Sequence, residues 1–146
     1  MSQITAVTAE VALAAATAKT IIEIAAPSTK ALRVSEYWVD FDGVNGAEAP
    51  VVVEVLRKTA TITGTTLTPR AKNQAEQDAL ATAKHTATAE GTDGDVIYRH
   101  EIHPQGSKHV MFPLGDEIVV AKSGMLGIRC TAPAVVNVVA GFGWRE

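Results

Sequence analysis

Short runs rich in Val, Ile and Thr recur along the chain, and most close on proline or glycine. TIIEIAAP (20–27) stops at a proline, ALRVSEYWVDFDG (31–43) at Asp-Gly, and PVVVEVLRKTATITG (50–64) at a glycine. The rhythm resumes with DVIYRHEIHPQG (95–106), HVMFPLG (109–115), EIVVAKSG (117–124), MLGIRCTAP (125–133) and VVNVVAGFGWRE (135–146). β-Branched side chains fill a pleated, half-buried surface well, while Gly, Pro and Asp favour the turns between strands. The pattern predicts an all-β fold, a sandwich or barrel of about eight antiparallel strands. The alternation of strands with helices that marks an α/β protein is missing.

Within the runs, apolar residues sit on both faces. Val51, Val53 and Val55 fall on one side of their strand, Val52 and Leu56 on the other. In the last run Val136, Val138, Phe142 and Trp144 share a face, with Val135 and Val139 opposite. Between Leu32 and Phe41 the phase changes: Leu32 and Val34 are followed by Tyr37, Val39 and Phe41 on the other side, and Trp38 opposes those three. Either a bulge re-aims this strand or both of its faces are covered. A soluble single-copy sandwich should alternate cleanly, apolar inside and polar outside. The surplus predicts an oligomer with Trp38, Phe41, Val52, Leu56, Phe142 and Trp144 at subunit contacts. The competing account is that loops of the same chain cover the outer faces.

Two segments break the rhythm. TPRAKNQAEQDALATAKHTATAEGTDGD (68–95) is polar and lacks β-branched apolar residues, so it reads as a long loop. Good helix formers around 71–84 give it the makings of one short helix. It is either a functional loop or a tolerated surface insertion. The Ala/Thr-rich residues 1–18 carry few large side chains and read as an N-terminal arm or as the first strand of the sheet. They lack the positive flank of a signal peptide, and Glu10 interrupts the apolar run. All 146 residues are expected to form one domain.

Composition and chemistry narrow the function. A net charge of −3 with 20% charged residues offers no basic footprint for nucleic acid. No run is long and apolar enough to suggest a membrane span. The single Cys130 excludes an internal disulfide and, in phase with Leu126 and Ile128, reads as a small buried thiol suited to a reducing cytosol. HEIHPQGSKH (100–109) gathers three histidines, but His100 and His103 are an odd number of residues apart and face opposite ways on a regular strand. His109 lies across a turn, and two ligands from a hairpin would still need a third. Gly124, Gly127, Gly141 and Gly143 open no helix and form no phosphate loop. The pairs Asp40/Asp42 and Asp93/Asp95 flank glycine turns, where Asp is expected for local reasons. No metal, cofactor or catalytic activity is expected.

The stretches ATAKHTATAEGTDGDVIYRHEIHPQG and GDEIVVAKSGMLGIRCTAPAVVNVVAGF, together with ALRVSEYWVDFDGVNGAEAPVVVEVLRK, resemble the capsid decoration (cement) proteins of tailed bacteriophages. The resemblance spans roughly residues 10–146. It implies a tumour-necrosis-factor-like jelly roll that assembles as a homotrimer on the outside of an icosahedral head. The implied partner is the major capsid protein, and the implied location is the virion exterior after synthesis in the bacterial cytoplasm. The family supplies no catalytic residues, and neither nucleic acid nor membrane is an implied partner. The alternative is a trimeric receptor-binding or fibre-head module of a phage virion, although no heptad or collagen-like stalk is present.

Overall fold

The computed structural model describes residues 3–44, 48–76 and 79–146, and among them there is no helix. The first four strands are β1 (Ile4–Val7), β2 (Val11–Leu13), β3 (Lys19–Ala25) and β4 (Leu32–Phe41). There follow β5 (Val51–Ala60), β6 (Thr63–Leu67), β7 (Arg70–Ala71), β8 (Thr82–Ala89) and β9 (Thr92–Ile102). The chain closes with β10 (Ser107–Met111), β11 (Ile118–Val120), β12 (Met125–Thr131) and β13 (Val136–Arg145).

These strands form two antiparallel sheets. One runs β10-β4-β13-β1-β7, with β11 also on β4 and β2 also on β13; the other runs β6-β8-β3-β12-β5-β9. Eight of the strands carry the architecture. Taken in chain order, the first pairs with the last (β1 with β13), the second with the seventh (β3 with β12), the third with the sixth (β4 with β10) and the fourth with the fifth (β5 with β9). That nesting is one long hairpin rolled into a sandwich, the jelly roll. The core lies between the sheets. Ile22, Ile24, Val53, Val55, Leu126 and Ile128 meet Leu32, Val34, Tyr37, Val39, Val138, Phe142 and Trp144, all of them buried.

The phase change in β4 is a bulge. Gly143 pairs with Glu36 and the next residue, Trp144, pairs with Val34, so Ser35 is the extra residue. The bulge turns Leu32 and Val34, and then Tyr37 and Val39, toward the same core. A second bulge skips Ile21 where Ile128 pairs with Ile22 and Arg129 with Thr20, so Ile21, Ile22 and Ile24 are all buried.

Two expectations are corrected. The segment 68–95 is not one long loop, because β7 and all of β8 fall within it and β9 begins at Thr92. β8 pairs with both β3 and β6 and so widens the second sheet. Its small Ala83 and Ala87 are buried. The expected helix around 71–84 is replaced in its described part by an Asx turn and strand, Asn73 Oδ1 accepting from the Ala75 N–H at 3.1 Å. Residues 77 and 78 lie outside the described residues. Of the two readings of residues 1–18, an arm or a first strand, the chain takes the strand within its described part. β1 and β2 both lie against β13, and Ile4, Ala6, Val11 and Leu13 are buried. Alternating small and medium apolar residues suffice there, because β13 supplies the bulk through Phe142 and Trp144.

Candidate functional surfaces

The six residues expected at subunit contacts do not share a surface. Leu56, Phe142 and Trp144 are fully buried within the chain and cannot meet a second copy. Phe142 and Trp144 point into the core because their neighbours on β13, Gly141 and Gly143, occupy the outward positions. Leu56 is on the outer side of β5, in the row Glu23–Gly127–Leu56 across three strands. The chain's own turn covers that row: Glu23 accepts from the Thr61 hydroxyl at 2.6 Å and from the Ile62 N–H at 3.2 Å. The account in which loops cover the outer faces therefore holds at β5. Trp38, Phe41 and Val52 are half-buried, with Trp38 and Val52 on the outer faces of opposite sheets.

The same outer face of the second sheet carries an ion network. The Lys58 side chain is fully buried and its Nζ donates to Glu90 and Asp93. Arg129 reaches Asp93 and also Glu54 at 2.9 Å, and Arg99 closes on Glu54 at 2.7 Å. Glu90 also takes the backbone N–H and hydroxyl of Thr20. Burial raises the carboxyls of Glu54 and Asp93, but their cationic partners outweigh it and hold both below the ordinary range. Burial lowers the Arg129 pKa, and Glu54 and Asp93 more than reverse that.

On the outer face of the first sheet, Glu36 sits at the centre of a polar cluster. It accepts from Gln3 Nε2 at 2.8 Å and from Lys72 Nζ at 2.8 Å, and pairs with His109 Nε2 at 2.9 Å. Burial raises its carboxyl, and Lys72 with His109 bring it below the usual value. The glycines of β13 make room for this layer. A Cβ on Gly141 would stand 2.2 Å from Trp38 Cζ2, and one on Gly143 would stand 2.6 Å from Glu36 Cγ. Two adjoining depressions of about 400 and 370 Å³ share Glu36 and Lys72; the first adds Gln3, Ser35 and Arg145, the second Trp38, Asp40 and His109.

The third surface is the open side of the sandwich, where β9 ends one sheet and β10 ends the other. Tyr37, Tyr98, His100 and Phe112 cluster there with ring centroids 5.7 to 6.4 Å apart. The Tyr37 hydroxyl meets His100 Nε2 at 2.6 Å. Burial and the neighbouring Tyr98 push the Tyr37 hydroxyl up to about 12, so it is neutral and donates to a neutral imidazole. Burial and Lys108 lower the His100 pKa, which favours that neutral ring. The cluster is only partly covered: Tyr98 is 37% exposed and Phe112 is half-buried, whereas Tyr37 is fully buried. This strip was missed from the sequence, although Tyr98, His100 and Ile102 alternate on one face of DVIYRHEI.

The three histidines of HEIHPQGSKH are held apart. His100 bonds Tyr37, His109 bonds Glu36, and His103 Nδ1 accepts from the Gln105 N–H at 3.0 Å within a turn. Among the described residues no three or more His, Cys, Asp or Glu side chains are placed to hold a metal ion. Cys130 is fully buried, and burial with the nearby Glu54 pushes its thiol far up, so it stays protonated. No protein-family model matches the chain, no curated protein matches its sequence, and no solved structure matches its fold.

Proposed function

We propose that the chain is a structural protein that forms a homotrimer, binds the outside of an icosahedral bacteriophage head and stabilises it. The reading starts from the sequence resemblance to decoration proteins and is supported by the jelly-roll fold. One observation carries it: Tyr98 on β9, clustered with Tyr37, His100 and Phe112, is left 37% exposed to solvent in a single copy. A partly exposed aromatic cluster at a sheet edge is suited to meeting another protein. Three copies around an axis would close it, with Tyr98, His100 and Phe112 in place of the residues expected from sequence. Binding only the assembled lattice, such a trimer would stabilise the shell by mass action, with the major capsid protein as partner. In this reading the protein is no enzyme and needs neither cofactor nor nucleic acid nor membrane; it is made in the host cytoplasm and resides on the virion exterior.

Electron microscopy of phage heads with the gene intact and deleted tests the reading. Three-fold density on the outer shell, lost on deletion, is the expected result. Identical shells would contradict it, and density lost from a tail fibre would favour the fibre-head alternative.

A further inference from the structure

We propose that the outer face of the first sheet is a binding groove for a neutral oligosaccharide, with Trp38 as its platform. The indole lies against Gly141: Cζ2, Cε2 and Cη2 all come within 3 Å of where a Cβ would be, the nearest at 2.2 Å. A ring held flat on a glycine turns its opposite face outward. His109 meets its edge at a centroid distance of 5.8 Å and an interplanar angle of 67°. The orientation is therefore fixed before any ligand arrives, which lowers the entropic cost of binding.

Around this ring stand polar groups with bonding capacity unspent. Among the described residues the Asp40 carboxylate has no hydrogen-bond or ion-pair partner. His109 uses Nε2 on Glu36 and leaves Nδ1, and Lys72 Nζ divides itself between Gln3 Oε1 at 2.9 Å and Glu36 at 2.8 Å. An apolar platform ringed by acceptors and donors held by other bonds matches a pyranose, whose C–H face stacks on aromatic rings while its hydroxyls both donate and accept. Across the two depressions the carboxylates Glu36 and Asp40 are matched in number by Lys72 and Arg145, which favours a neutral ligand over a charged one. The two adjoining depressions, about 370 and 400 Å³, have room for more than one sugar ring. Met111 and Phe112 also line the first depression, and Phe112 belongs to the proposed trimer edge; the Trp38 depression is formed within one chain and does not depend on the trimer.

The test is a titration of the purified protein with maltotriose, cellotriose and triacetylchitotriose, each against its monosaccharide. It is followed by tryptophan fluorescence and calorimetry. Trp144 is fully buried, so a change in emission on binding reports Trp38. At least one trisaccharide should bind saturably with Kd on the order of 1 mM, and about tenfold more tightly than its monosaccharide. Trp38→Ala should abolish the signal, and Asp40→Ala, which breaks no bond of the fold, should weaken binding about tenfold. The proposal is overturned if no trisaccharide binds up to roughly 50 mM. Calorimetric binding that persists in Trp38→Ala, equal affinity for monosaccharide and trisaccharide, or response only to an arginine-rich peptide would overturn it too.

Discussion

On β13 the aromatic residues Phe142 and Trp144 alternate with Gly141 and Gly143, so bulk goes into the core and the outer face is left bare for Trp38 and Glu36. Phe142→Ala should therefore cost about 3–5 kcal/mol in urea unfolding, as for a buried aromatic. A normal midpoint combined with lost assembly would restore Phe142 to a subunit interface. Lys58 is the sharper electrostatic case. Its side chain is fully buried while Glu90 and Asp93 are each one-third exposed, so Lys58→Met takes the cation from Glu90 and leaves Asp93 with Arg129. We expect a loss of about 2 kcal/mol, less than for a wholly buried pair. The titrating groups give stability a dome against pH. Glu36, Glu54 and Asp93 have folded pKa values below their ordinary 4.5, 4.5 and 3.8, so their contribution is complete above those values and is lost as pH falls through the folded ones. His100 is lowered from 6.5, so the unfolded chain takes up that proton first and stability begins to fall below about that pH. Tyr37 is raised from 10.0 to about 12, so the unfolded chain ionises first and stability falls again above 10. Melting temperature should be flat near neutrality and drop on both sides; a rise between pH 6 and 4 would contradict these assignments.

The strands with large β-branched residues were readable from alternation and punctuation alone, as β3, β5, β12 and β13 illustrate. β8 was not, because TAKHTATA contains no large apolar residue, and its place is set by tertiary pairing to β3 and β6 rather than by propensity. The bulge at Ser35 was visible only as a change of phase, and the sequence left two explanations that pairing with β13 resolves. β1 was ambiguous for a related reason: Ala and Thr say little about partners, and its partner comes more than a hundred residues later. Deleting residues 3–13 should remove β1 and β2, expose the flank of β13 and abolish the cooperative melt. A truncated protein that melts normally would return this segment to the role of an arm.

At the scale of the whole molecule, most of the surplus hydrophobicity is accounted for within one chain. The bulge, the β13 glycines and the turn over Leu56 bury most of it inside one chain, leaving the open edge between β9 and β10. No single run identifies that edge, because Tyr37, Tyr98 and Phe112 come from three separate stretches. The claim most directly exposed to measurement is that this edge is covered by further copies of the chain. Light scattering at micromolar concentration should give a mass about three times the 15.3 kDa of one chain, and Tyr98→Glu should reduce it to one. A native protein that scatters as a single 15.3 kDa chain, or a Tyr98→Glu variant that remains trimeric, would contradict the account.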